Sequence, residues 1–198
     1  MILRTVLLTL RSVCSRAARN RDGVAAVEFA LILPLLLILA IGMAETTEAL
    51  NHDQKVSKVA STMADLVAQS KSSISEDIMD SFFLGAEALM LPYDDTNLTV
   101  AIASVTYDIN GLNPTVDWSY GNKARQPWAK GAPPPFTMPA TLGAPNLSLI
   151  VAEAEYTYTP MFATLIQNIF PRATSLTLED RYYLRPRLVG QLACTDCQ

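Results

Sequence analysis

The chain has 198 residues and a mass of 21.6 kDa; half of it is apolar, 17% is charged, and its mean hydropathy is +0.21. That length suits little more than one domain, and so apolar a composition with so few charges is unusual for a soluble one, so the excess must be concentrated somewhere. Residues 1–22 hold five arginines against Asp22, a net +4, while the remainder is net −8 and lacks the basic face that nucleic acid requires.

The excess lies in Val24–Ala44, a 21-residue run whose only charge is Glu28. As a helix it would span about 31 Å, roughly one bilayer core. This excludes an ordinary cytosolic enzyme. Arginines on its N-terminal flank predict a cytoplasmic N-terminus and export of the residues that follow the span. Three readings of this start are open: a secretory signal cut after Gly42-Met43-Ala44, a permanent anchor, or a prepilin leader followed by a helix. The 22-residue basic region is long for a signal peptide, and a carboxylate in an apolar helix costs about 2.5–3.5 kcal/mol at mid-bilayer. Glu28 lies one turn inside the run, where the cost is smaller, but it still calls for a partner.

The stretch Arg19-Asn-Arg21-Asp-Gly23-Val-Ala-Ala-Val-Glu28-Phe29-Ala-Leu-Ile-Leu-Pro34 resembles the start of TadE/TadG-like proteins of the tight-adherence (Tad) pilus system. These are pseudopilins or pilin-like assembly proteins. The resemblance implies cleavage by a prepilin peptidase between Gly23 and Val24. It also implies that Glu28, the fifth mature residue, acts with Phe29 in assembly, the glutamate pairing with the new amine of a neighbouring subunit. Ala60-Ser-Thr-Met-Ala-Asp-Leu-Val67 and Ala152-Glu-Ala-Glu-Tyr-Thr-Tyr-Thr-Pro160 are more loosely similar to the longer members. The D-x-S-x-S metal motif carried by many TadG proteins does not occur, so that activity is not carried over. The implied partners are the inner membrane, the prepilin peptidase and other Tad subunits.

Downstream, the helix should continue from Glu45 to about Ser70, with Leu50, Val56, Val59, Ala60, Met63, Leu66 and Val67 on one face. Ser73-Ile-Ser-Glu76 has the form of a capping box for a helix of about Ser75–Leu91 that buries Ile78, Phe82, Ala86 and Leu89 and stops before Pro92. Strands follow. Leu98, Val100 and Ile102 alternate in the first; Asn110-Gly111 signals a turn; Val116, Trp118 and Tyr120 alternate in the return. Leu147–Thr159 and Thr174–Leu184 read as third and fourth strands, with a short helix between them carrying Phe162, Leu165, Ile166 and Ile169. Residues 121–145, with Pro133-Pro134-Pro135, form a long excursion, mobile or draped over the surface. The expected fold class is α+β: a long N-terminal transmembrane and amphipathic helix, then a helix and an antiparallel sheet of about four strands. The expected divisions are a leader at 1–23, the span at 24–44, helices at 45–91 and the sheet domain at 92–198.

Chemical motifs are few. Glu153 and Glu155 share a strand face, which is better read as solvated than as a glycosidase pair. Asp94-Asp95-Thr96-Asn97 lacks the spacing of an EF-hand and reads as a polar turn. His52 is the only histidine, so His-based triads and multi-histidine metal sites are excluded, and no Walker, G-x-S-x-G or G-x-G-x-x-G motif occurs. No enzyme, cofactor or metal is expected. Cys14 belongs to the leader; Cys194 and Cys197 form a C-x-x-C at the end of the chain, a weak zinc signal and a disulfide candidate in an oxidising compartment. The expected function is thus a non-catalytic, pilin-like subunit; its rivals are a periplasmic binding protein released after Ala44 and an anchored accessory protein.

Overall fold

The computed structural model describes residues 23–123, 125–162 and 175–197. It divides into a first unit ending at Thr46 and a second beginning at Thr47. Helix α1, Val24–Ala68, runs for 45 residues through both. In the first unit its apolar side chains are exposed, including Leu31 at 76% and Ile38 at 67%.

Within the second unit α1 buries His52, Val56, Val59, Ala60, Met63, Ala64, Val67 and Ala68, the three-and-four spacing of one helix face. Leu50 is outside that face and exposed, a correction to the predicted stripe: six residues from Val56 is a third of a turn out of line. The helix stops where Ala68 O accepts the Arg187 backbone N–H at 2.8 Å.

Helix α2 is Glu76–Leu89. The expected capping box does not form, because Ser73–Ile74 is strand β1 and Ser75, the N-cap, makes no side-chain cap bond. Asp196 supplies the missing acceptor: its Oδ1 takes the Glu76 N–H at 2.9 Å. The buried face is Met79, Phe83 and Ala86, continued by Met90, rather than Ile78, Phe82, Ala86 and Leu89. Phe82 and Leu89 are half-buried and Ile78 is exposed, so the true stripe sits one residue further along the chain.

The strands are β2 (Leu98–Tyr107), β3 (Pro114–Gly121), β4 (Ser148–Tyr158) and β5 (Leu176–Leu184). They form one antiparallel sheet in the order β3-β2-β4-β5. A separate two-residue strand β6, Ala193–Cys194, pairs in parallel with β1. This is the α+β architecture expected. The short helix expected around Leu165, Ile166 and Ile169 lies outside the described residues.

Both faces of the central strands are buried. Leu98, Val100, Ile102, Ile150, Ala152, Ala154 and Tyr156 face the helices, and Ala101, Ala103, Val105, Leu149 and Val151 face the Pro-rich excursion. The excursion is draped over the sheet, with Trp128 and Met138 buried and Phe136 and Leu142 packed beside them. Its backbone is stitched to β3 by Val116 N–H to Ala132 O at 2.9 Å and Gly131 N–H to Val116 O at 2.8 Å. Gly111 and Gly143 let its far end approach the β2–β3 turn, since a Cβ at Gly143 would lie 2.5 Å from Gly111 O.

Val116, Trp118 and Tyr120 do not share a face as the simple alternation predicts. A bulge shifts the register between Ser104↔Trp118 and Val105↔Val116, sending Val116 to the excursion side and Trp118 to the helix side. The bulged Asp117 accepts from the Ser104 and Thr106 hydroxyls at 2.8 and 2.6 Å.

If the excursion is a structural layer, Trp128→Ala should cost about 3–5 kcal/mol of unfolding free energy. Denaturant titration of the full chain in detergent, followed by the fluorescence of Trp118, measures it. A loop merely lying on the surface would lose less than about 0.5 kcal/mol.

Candidate assembly site

The segment singled out by its sequence opens α1. Gly23 precedes the helix in a 3-10 turn, and a side chain there would meet nothing within 4 Å. Val24 is 53% exposed, Phe29 58%, and Glu28 is exposed as well. Val24 and Glu28 are four residues apart on the helix, one above the other and about 6 Å apart along the axis. Among the described residues Glu28 has no ion-pair partner.

An α-helix satisfies nearly all of its own backbone groups, as a span through lipid must. Pro34 lies inside it and removes one N–H donor. Thr46 Oγ1 donates to Gly42 O at 2.7 Å, adding a second bond to a carbonyl at the end of the apolar run. From Phe29 to Ala44 no side chain is charged. None of the most apolar 18-residue window is buried within the chain, so this is an apolar surface far beyond what a soluble monomer exposes. Its length and composition suit a membrane anchor.

The other sequence-derived candidates all lie in the second unit. His52 packs against Tyr93, Tyr156 and Tyr158 with ring centroids 3.8, 5.3 and 4.7 Å away, and its Nδ1 lies 2.9 Å from Glu48 O. It is a buried packing residue. Asp94 closes a polar turn by accepting the Thr96 N–H and hydroxyl, both at 2.9 Å; these bonds, the backbone one foremost, hold its carboxyl below the usual range. Cys194 and Cys197 are disulfide-bonded.

Glu153 corrects the expectation of a solvated acidic face, for it is only 2% exposed. It pairs with Arg125 and, at 3.0 Å, with Arg181; Arg125 also holds Glu155 at 2.6 Å, and Arg181 holds Glu179. Arg181 is directly across the strands from Glu153, and its guanidinium lies 4.2 Å from the centroid of Phe136. Such a buried carboxylate persists because two guanidiniums neutralise it. Sequence reasoning missed both arginines. Arg125 sits in the Pro-rich stretch, and its role depends on how that stretch folds back.

Residues 23–65 match the family model described as TadE-like protein. No curated protein and no solved structure matches the chain. The match falls on the segment that carried the resemblance: over residues 23–65 the chain is similar to TadE-like proteins, and its remaining residues lie outside the matched region.

One titration in the second unit can be followed directly. Tyr120 donates to Asp80 Oδ1 at 2.9 Å, and burial followed by that carboxylate pushes its hydroxyl up to about 12. The folded state therefore keeps a proton that the unfolded chain loses near pH 10. Its contribution should be intact below pH 10 and disappear as the pH rises to about 12. Tyr120→Phe should make the alkaline loss of stability shallower, as read by denaturant midpoints at pH 9, 10 and 11. An unchanged slope would mean the bond to Asp80 is not made in solution.

Proposed function

We propose that the protein is a non-catalytic, pilin-like component of Tad (Flp-type) pilus assembly. Val24–Ala44 inserts it in the inner membrane with the basic leader cytoplasmic and the C-terminal domain periplasmic or extracellular. A prepilin peptidase cuts after Gly23, and the mature subunit joins other pilin-like and Tad assembly subunits. The observation that carries the reading is the exposed apolar opening of α1 with its lone carboxylate, Glu28, inside the TadE-matched segment.

Glu28 is stacked one turn above Val24, so the carboxylate and the new amine of a neighbour meet when two helices pack side by side with an axial offset of about one turn, about 6 Å. Attraction between them is strong where water is scarce, but desolvation offsets much of it. The pair therefore sets register more than it adds stability.

Intact mass and N-terminal sequencing of the membrane-borne protein should give a start at Val24. A start at Glu45 would identify a secreted protein, and one at Met1 an uncleaved anchor. Gly23→Val should accumulate at full length, because a side chain obstructs the peptidase at the scissile bond; normal maturation of that variant would sink the pilin reading.

Glu28→Gln should insert at least as well as wild type, since a membrane charge costing up to about 3 kcal/mol is gone. Crosslinked recovery with pilus subunits should nevertheless fall, the neighbour's amine having lost its counter-charge at a cost of several kcal/mol. Undiminished recovery of the mature form would remove the pairing role.

A further inference from the structure

The C-terminal tail makes a chain of bonds to elements far from it in sequence. Trp118 Nε1 donates to Leu192 O at 2.7 Å, and Leu192 itself is buried. Beyond it, Ala193 and Cys194 pair with Ser73 and Ile74, and the Thr195 N–H donates to Ile74 O at 3.0 Å. Asp196 then accepts the first N–H of α2. The Thr195 hydroxyl also donates to Asp196 Oδ1 at 3.2 Å, and the Cys197 N–H lies 3.2 Å from Cys194 Sγ. Asp196 thus sits inside a four-residue disulfide ring whose first cysteine belongs to β6.

Asp196 and Thr195 are exposed, and both cysteines are half-buried, so the ring is open to a small thiol or to the active site of a redox protein. So small a ring closes little chain entropy, and its effect on the unfolded state is correspondingly slight. Its effect on the folded state is to restrict the residue that caps α2. Ser75, the N-cap residue, makes no side-chain cap bond, so Asp196 is the side chain that caps α2. Without the ring, Asp196 is held to the rest of the domain through a strand only two residues long, two residues before it.

We propose that Cys194–Cys197 is a thiol–disulfide exchange site, a clasp whose oxidation state decides whether Asp196 caps α2 and β6 stays paired with β1. The reagent class is a dithiol/disulfide couple. Closing the clasp takes two electrons and two protons from the two cysteine thiols and passes them to the reagent's disulfide, which leaves as a dithiol. Opening runs in reverse: a reagent thiolate attacks one sulfur to give a mixed disulfide and a protein thiolate. The reagent's second thiol then displaces the other protein thiol. The chain would carry the clasp open in a reducing compartment and closed in an oxidising one. This inference rests on the second unit alone and stands apart from the pilus reading.

Hydrogen exchange by mass spectrometry tests it on the full chain in detergent, oxidised and then reduced with dithiothreitol. Reduction should speed exchange at least tenfold in peptides covering 73–79 and 192–197 while β2 and β4 stay protected. Reoxidation with glutathione disulfide should restore the original rates and lower the mass by 2 Da. Asp196→Ala, with the disulfide intact, removes the acceptor and should loosen the start of α2 while leaving the β1–β6 pair protected. The proposal is overturned if reduction leaves 73–79 unchanged, if it deprotects the sheet equally, or if the cysteines fail to reoxidise. Because the reduced and oxidised samples are the same wild-type protein, a variant that misfolds does not decide the result.

Discussion

The folded domain depends on one constraint: β2 and β4 are apolar on both faces and must be covered twice. Alternating side chains point to opposite sides of a sheet, so Val100 and Ile102 cannot be buried by the same layer as Ala101 and Ala103. The helices cover one side. The other is left to a segment with little regular structure, rich in proline, whose backbone groups must find partners wherever they can. It finds them in β3, in the Arg125 N–H bond to Asn122 O, and in its own turns, Leu142 N–H on Pro139 O and Leu147 N–H on Ala144 O. The short side chains of Ala101 and Ala103 on that face leave room for Trp128. At the end of the same face Glu153 takes the position that a further apolar residue would hold, and Arg125, brought there by the excursion, neutralises it.

The TadE-matched residues 23–65 are in two physical situations along one helix. In its most apolar 18-residue window none of the helix is buried among the described residues. From His52 onward the small and medium residues Val56, Val59, Ala60, Met63 and Ala64 form the apolar wall against which the sheet packs. The matched segment therefore joins an exposed apolar helix to the part that builds the domain's core.

Much of this was legible because the signals are local. The apolar run with Glu28, the period-two alternation of β2, and the strands at 148–158 and 176–184 need only neighbouring residues to be read. What escaped was set by residues distant in sequence. Ser73 and Glu76 match a capping box, but Ser73 is drawn into a strand by Ala193, and the helix then begins three residues later. That same delay brings Met79 and Phe83 to the core instead of Ile78 and Phe82. Val116 leaves its expected face because Asp117 bulges to reach Ser104 and Thr106. Glu153 looked solvated because Arg125 and Arg181 are 28 residues away on either side. In the candidate site the residue types were readable, whereas a neighbour's amine is by nature absent from a single chain.

The tail shows how such distant determinants combine. The carbonyls at the end of α1 and the N–H groups at the start of α2 are backbone groups that a helix cannot satisfy internally. The residues between the two helices, Gln69–Ser75, include four serines yet provide no side-chain cap for α2. Both ends are closed from the far terminus instead: Arg187 N–H on Ala68 O, its guanidinium on Asp65, and Asp196 on Glu76. A carboxylate at the positive end of α2 and a guanidinium at the negative end of α1 also have the signs the helix dipoles favour. The two helix ends are thus finished by residues far along the chain, Asp196 lying 120 positions beyond the Glu76 N–H that it caps, so the helical layer over the sheet is completed by long-range contacts.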